Sequence, residues 1–539
     1  MLGLPIFFLL IVVGAIVLGV RFLARRKSET ASGDQDLIAY GLLAIAVGTT
    51  VFALTQLGQA AFPGERVAGD PGQQVATALA ALVVGAPIAF LLWRRQAQRR
   101  KLYPDSSGWP VYLAFAEAVF TTALLVTSFQ LIVWLFGNEP RSSWTDVVIL
   151  AGVFVFHEWA SRQDPPGSEI AELPRVTGSV IGLIAASIGV GGVLWNLFEY
   201  LYGTIFATAG NLDLSEPIVL VALGAPLWAY RWLRPWPGAA AVPRKTWLVA
   251  TSTISLSTAI GSMMAMAVVA ITFILGDVGS AAEHFELVPG ALAVLAVALG
   301  VWRHHQQRIG TERDNTLRTY EYIMAALGLA FAVGGLTALV TVALGDEALV
   351  GDSRPEVILS LAILTLTAVA VWLWFWNRCQ SADRAAESVS PPRRIYVLGM
   401  AIVAGLAAAQ ALIATLVVLF QFAFGLDPSQ GTLVTEGALA VFAALTTLHL
   451  VRVNKADRAL IETSEVILPF TVTIVCSHPG KLAALFPKEA TTRVIYRADE
   501  AAIVTEEMAE AIVAAVATTS SIVWVSDTGF EVAPARDSH

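Results

Sequence analysis

Charge is what this chain has least of: 14% of its 539 residues are Asp, Glu, Lys or Arg and 56% are hydrophobic, where a soluble domain carries about 25% charged residues. That scarcity excludes an ordinary soluble protein. Cysteine is scarcer still. Cys379 and Cys476 stand far apart, with no CxxC or CxxCH spacing, so neither a zinc site nor covalent haem attachment is signalled and both read as free thiols. A basic excess is also missing: 34 Lys and Arg face 42 Asp and Glu, a formal net charge of −8, which argues against nucleic acid as a partner, since phosphate binding needs clustered cations. No Gly-x-Ser-x-Gly, His-Glu-x-x-His or Walker sequence occurs, and the adjacent Ser477 and His478 give no nucleophile-base geometry by themselves. The sequence therefore points to no catalytic centre and no cofactor.

What is present is a succession of apolar runs of 18 residues or more, the length that crosses a bilayer. About thirteen spans are expected, near 4–23, 36–61, 73–93, 110–136, 144–160, 176–206, 215–233, 246–275, 286–303, 318–344, 355–377, 395–424 and 432–451. The first run, Leu2 to Val20, has its cations (Arg21, Arg25, Arg26, Lys27) after it rather than before it. It reads as a retained anchor over residues 1–30 with an outside amino terminus. With that start, alternate loops before the tail hold 26 Lys and Arg on one side and three (Arg66, Arg141, Arg354) on the other. Cations are retained in the cytoplasm, so the carboxyl terminus is expected inside.

The spans after the anchor fall into hairpins whose basic ends carry an aromatic residue and an arginine: Trp93 with Arg94 and Arg95, Trp159 with Arg162, Trp232 with Arg234, Trp302 with Arg303, Trp376 with Arg378, and His449 with Arg452. Gly85-Ala86-Pro87 recurs as Gly224-Ala225-Pro226, two hairpins later. The larger unit is thus four helices, repeated over 35–165, 170–310 and 315–455 with the same hand. In the last unit two long helices are entered by Arg318-Thr319-Tyr320 and Arg394-Ile395-Tyr396, as the aromatic belt at a membrane interface leads one to expect. An Arg-x-Tyr entry, a long apolar helix, a short acidic outer loop and a helix with a mid-span Pro and an Arg-rich exit resemble the bacterial membrane family catalogued as domain of unknown function 5671. The resemblance covers three tandem copies and implies a four-helix unit in a bacterial cell membrane. It implies no activity.

Charge inside a span is where function is sought first, because each such group costs about 2.5–3.5 kcal/mol at mid-helix. Glu117, about two turns into its helix, is the candidate intramembrane acid. It reads either as a proton or cation ligand or as the partner of a neighbouring Arg. His157, His304 and His449 recur with the repeat, at intervals of 147 and 145 residues. Three imidazoles in equivalent positions suit a metal or haem site or a pH sensor, but duplication of an interfacial polar residue explains the same spacing.

From about residue 466 the composition changes. Strands are expected at 470–477, 493–496, 521–525 and 530–533, with helices at 481–486 and 505–517, which makes 466–539 a small α/β domain. Met508, Ile512, Val513 and Val516 form one face of the second helix, and Glu506, Glu507 and Glu510 form the other. The tail carries five Lys and Arg against nine Asp and Glu, so it would not adhere to anionic lipid by charge.

The expected fold class is an all-α polytopic membrane protein with a small C-terminal α/β domain, its partners being the lipid bilayer and a protein met by the tail on the cytoplasmic side. Two roles follow: a structural or regulatory scaffold, or a transporter or channel for a small neutral or weakly polar solute. The sequence does not set the number of subunits. A reporter that fluoresces only in the cytoplasm, fused after His539, is expected to give signal. A fusion that is expressed but dark would overturn the orientation.

Overall fold

The computed structural model describes residues 32–62, 71–102, 108–136, 144–163, 170–206, 212–233, 242–275, 280–345, 354–426 and 429–463. In the tail it describes 470–476, 482–486, 490–496, 504, 506–516, 521–526 and 529–534. The expected anchor lies outside the described residues.

Among the described residues twelve long helices follow one another: α1 Ser32–Ala61, α2 Pro71–Leu102, α3 Gly108–Leu135, α4 Trp144–Gln163, α5 Leu173–Phe206, α6 Ser215–Trp232, α7 Val242–Leu275, α8 Val288–Ile309, α9 Asn315–Leu344, α10 Arg354–Gln380, α11 Pro391–Ala423 and α12 Gln430–Thr463. Ten of the described helices are long and apolar enough to cross a membrane. Of the expected spans, α4 and α6 are outside that set. They are helical but only 20 and 18 residues long, about 30 and 27 Å, and carry Asp146, Glu158, Glu216 and Arg231. Helices suit this environment because lipid offers no partner to an open backbone group. Threonine is tolerated because its hydroxyl donates back to a carbonyl one turn earlier, as Thr337 does to Val333 and Thr415 to Ala411.

The helical and tail residues fall into two compact units, Met1–Tyr320 with Leu349–Thr367, and Glu321–Ala348 with Ala368–His539. In the first, α5 and α6 form a tight hairpin because a glycine of each stands against the other helix where they cross. A Cβ on Gly182 would meet the backbone of Trp228, with its Cα at 2.8 Å, and a Cβ on Gly224 would meet Ala185 and Ala186, with the Ala185 Cβ at 2.8 Å. Gly85 of the matching Gly-Ala-Pro stands against Thr49 and Thr50 of α1, so the motif marks the same kind of crossing in both hairpins. In the second unit Gly328 repeats the Gly182 contact, its Cβ position lying 2.7 Å from the backbone nitrogen of Trp372.

The tail holds a four-stranded sheet of order β2-β1-β3-β4, with β1 Phe470–Cys476, β2 Ala490–Tyr496, β3 Ser521–Ser526 and β4 Gly529–Pro534. β1 runs parallel to β2 and β3, and β3 pairs antiparallel with β4. The second strand starts three residues before its expected position because Ala490 to Thr492 pair with Phe470 to Val472. Helix α13, Glu506–Val516, covers the sheet: Ala509, Ile512 and Val516 join Val472, Ile474, Cys476, Leu482, Val523 and Val525 in one core. Met508 and Val513 pack at its margin, and Glu507 and Glu510 face outward. Burial pushes the Cys476 thiol up, consistent with an inert core residue.

Helix α9 begins on a cap. Asp314 accepts from the backbone N–H groups of Thr316 and Leu317, each at 3.0 Å, and from the Thr316 hydroxyl at 2.9 Å. Lys245 at the start of α7 stands 3.6 Å away. Partial burial raises the Asp314 carboxyl, but these donors and the ammonium outweigh it and hold the group below its ordinary range. A depressed folded value means that the stabilisation is present above the unfolded aspartate range and is lost as pH falls through the folded value. Asp314→Ala is therefore expected to cost about 0.5–2 kcal/mol at neutral pH, with the difference from the native chain shrinking on acidification. Thermal unfolding in detergent across pH checks it; a difference that grows toward acid would overturn the cap.

Candidate functional site: buried ion pairs at the basic helix ends

Glu117 is buried in α3, where it opens a π-helical turn, Glu117–Thr121. A π-turn inserts one extra residue and turns the side chains around it, a device common at functional sites. Here the carboxylate meets Arg231 of α6, whose Nη2 lies 2.7 Å from Oε2. The same guanidinium reaches Glu158 of α4 through Nη1 at 2.5 Å, so one arginine holds two carboxylates from two helices. Glu158 also accepts from the Tyr230 hydroxyl at 2.8 Å and from Arg162 at 2.9 Å. Arg162 closes the circuit by donating to Tyr230 at 2.7 Å. On the far side lies Gly178 of α5: a Cβ there would strike Oε1 of Glu117 and stand 3.0 Å from Nε of Arg231. Four helices converge on one cation, and a glycine makes room for it.

A second network closes the basic end of the other unit. Arg393 of α11 is buried and grips Asp457 of α12 with two hydrogen bonds, Nε to Oδ2 at 2.7 Å and Nη2 to Oδ1 at 2.9 Å. Its Nη1 donates to the Tyr322 hydroxyl at 3.3 Å, and that hydroxyl donates to buried Glu387 at 2.9 Å. Glu321, fully buried in α9, accepts from Nε of Arg378 at 2.9 Å, with the Cys379 sulfur 3.9 Å from its other oxygen. Bidentate arginine-carboxylate geometry is the strongest form of such a pair.

The helix-end motifs named Arg162 and Arg378 of these networks but pointed next to Arg231 and Arg393 rather than at them. Arg394, of the Arg-x-Tyr entry, is exposed, and its neighbour Arg393 is the one turned inward. Glu321, Glu387 and Asp457 carried no motif. The available signal was their place within a turn of an aromatic-basic helix end, which does not say which charge faces inward.

The histidines have separate partners. Nδ1 of His157 donates to the Val153 carbonyl at 2.8 Å, and Nε2 meets the Tyr112 hydroxyl at 2.9 Å. Nε2 of His304 accepts from the Trp232 indole at 3.1 Å and from Arg308 at 2.7 Å. His449 is exposed beside the rings of Trp372 and Trp376. The residue that repeats the carbonyl bond of His157 is His305, buried next to His304, with Nδ1 2.8 Å from the Val301 carbonyl. Among the described residues no group of three or more His, Cys, Asp or Glu side chains is placed to hold a metal ion.

A shared aromatic frame surrounds these groups. In the first unit Tyr40, Trp93, Tyr112 and His157 lie ring against ring, with Tyr40 to Tyr112 at 5.8 Å, Trp93 to Tyr112 at 6.3 Å and Trp93 to His157 at 6.2 Å. In the second, Tyr322, Trp376, Tyr396 and His449 do the same, at 5.4, 5.6 and 6.1 Å. An arginine caps the tryptophan in each: Arg100 at 5.3 Å from the Trp93 centroid, Arg393 at 5.5 Å from that of Trp376.

Arg231→Met removes the shared cation and leaves two acids facing each other in an apolar setting. A loss of about 3–5 kcal/mol in stability is expected, whereas Arg162→Met, at the exposed edge, is expected to lower stability far less. Chemical unfolding of the purified chain compares them, and equal losses would show that Arg231 is not the centre of the network.

The family model of a domain of unknown function, DUF5671, matches residues 35–157 and 318–447. No curated protein and no solved structure matches the chain. The two matched segments contain the Tyr-Trp-Tyr sets of the two aromatic frames (Tyr40, Trp93, Tyr112 and Tyr322, Trp376, Tyr396), at corresponding positions about 283 residues apart, with His449 just beyond the second match. Two segments of this integral membrane protein, 35–157 and 318–447, are thus similar to the DUF5671 domain.

Proposed function

We propose that this chain is a structural or regulatory scaffold of the bacterial plasma membrane, with its carboxyl terminus in the cytoplasm and the tail domain as its contact surface for a protein partner. One observation carries the reading. The carboxylates buried at the basic helix ends, Glu117, Glu321, Glu387 and Asp457, are each engaged by an arginine or a tyrosine hydroxyl of another segment. A carrier needs a carboxylate that exchanges its ion during transport. Groups held in this way brace helices, and a braced bundle suits display of a domain. The tail offers α13 with Glu507 and Glu510 outward, an acidic face for a basic partner.

Residues 170–310, outside the family match, are on this reading a diverged third copy. Trp232 stands where Trp93 and Trp376 do, His305 lies 5.4 Å from its ring, and Arg244 caps it at 5.7 Å. The Gly182 and Gly328 crossings support the same register.

The alternative, a transporter or channel for a small solute, is favoured by the π-turn at Glu117. Proteoliposomes decide between the two. Under the scaffold reading an imposed pH gradient decays at the same rate with the native chain as with Glu117→Gln, and the variant differs only in a lower unfolding midpoint. If the native chain dissipates the gradient and Glu117→Gln abolishes that flux while staying folded, the transporter takes the scaffold's place.

A further inference from the structure

The end of α2 carries three exposed cations beside a continuous exposed apolar stripe. Arg162, Arg231, Arg378 and Arg393 are all tied to carboxylates. Arg94, Arg95 and Lys101 are exposed, and among the described residues they have no ion pair. They sit on the face of α2 that the bundle leaves open. Val83, Val84, Ile88, Phe90 and Leu91 are exposed there, Val83 at 71% and Leu91 at 64%. Helical periodicity carries Val84, Ile88 and Leu91 on to Arg95 and Leu102, and Val83 and Phe90 on to Arg94 and Lys101. The opposite face is fixed: Gly85 is against α1, Gln96 and Arg100 are buried, and the Arg100 guanidinium lies 4.0 Å from the ring centroid of Trp109. A rigid helix thus presents one stripe that is apolar along the acyl chains and becomes cationic where the chains end.

We propose that this stripe is a binding site for anionic phospholipid, with the phosphate of the headgroup held by Arg94, Arg95 and Lys101 and the acyl chains lying along Val84, Ile88 and Leu91. Charge complementarity selects the headgroup, and the continuous apolar face selects a lipid over a free anion. Unpaired guanidinium groups next to exposed aliphatic side chains suit such an amphiphile, and a soluble acidic protein would leave the aliphatic part of the stripe uncovered.

The test uses the full chain in nanodiscs of phosphatidylcholine with about 30 mol % phosphatidylglycerol, a content at which surface charge attracts basic segments, with retained lipid read by native mass spectrometry. The native chain is expected to retain phosphatidylglycerol over phosphatidylcholine. The triple variant Arg94→Gln, Arg95→Gln, Lys101→Gln is expected to lose at least about ten-fold in that preference, and the control Arg384→Gln, Arg394→Gln, Arg452→Gln is expected to keep it. Equal retention of both lipids by the native chain, an unchanged preference in the triple variant, or the same loss in the control overturns the proposal. Release of the retained lipid by millimolar inorganic phosphate also overturns it, by assigning the cations to a free anion. Should the triple variant fail to fold, the salt dependence of the native chain decides: retention that falls steeply with sodium chloride supports the site, and retention indifferent to salt removes it.

Discussion

Arg231 between Glu117 and Glu158 displays the constraint on which this architecture rests: a charge in an apolar medium is tolerated only when the protein itself supplies the counter-charge and the hydrogen bonds. Each polar device in the helical part answers to that rule. The helices satisfy their own backbones, threonines bond back to carbonyls, and arginines reach across helices to carboxylates. Bare glycine at Gly178 follows from the same demand, since the carboxylate and guanidinium occupy the space a side chain would fill.

The polar networks lie where the helices carry their tryptophans and tyrosines, and this placement has a cause. Aromatic side chains with one polar edge provide an apolar surround and a hydrogen-bond partner together. Tyr322 links Arg393 to Glu387, and Trp232 donates to His304. An arginine over a tryptophan ring keeps part of its favourable electrostatics without a second carboxylate. The result is a chain with few charges, in which the buried ones at the basic ends, Arg231 and Arg393 among them, are committed to intramolecular pairs. Among the described residues, Arg94, Arg95 and Lys101 of α2 stand exposed outside these pairs, as do Arg303, Arg394 and Arg452.

The tail follows a different logic. It is built on parallel pairing of β1 with both neighbours and on one amphipathic helix, and its core forms by burial of aliphatic side chains away from water. Its acids stay on the outer face of α13, where hydration costs nothing. One chain thus combines a part whose polar groups dictate packing with a part whose apolar groups do.

The sequence by itself determined the helical membrane class, because runs of 18 or more apolar residues have few other fates. It also determined the resemblance to DUF5671 and the order of strands and helices in the tail, since alternation and amphipathic spacing are local properties. It identified Glu117 as an intramembrane acid and the glycines of the Gly-Ala-Pro motif. Only the tertiary structure decided that Glu117 pairs with a residue 114 positions away, that Arg393 rather than Arg394 turns inward, that His305 rather than His304 shares the bonding of His157, and that Glu321, Glu387 and Asp457 are buried. The reason is geometric. One residue along a helix rotates a side chain by about 100°, so the choice between neighbours depends on which face a distant helix covers, and no local pattern encodes that.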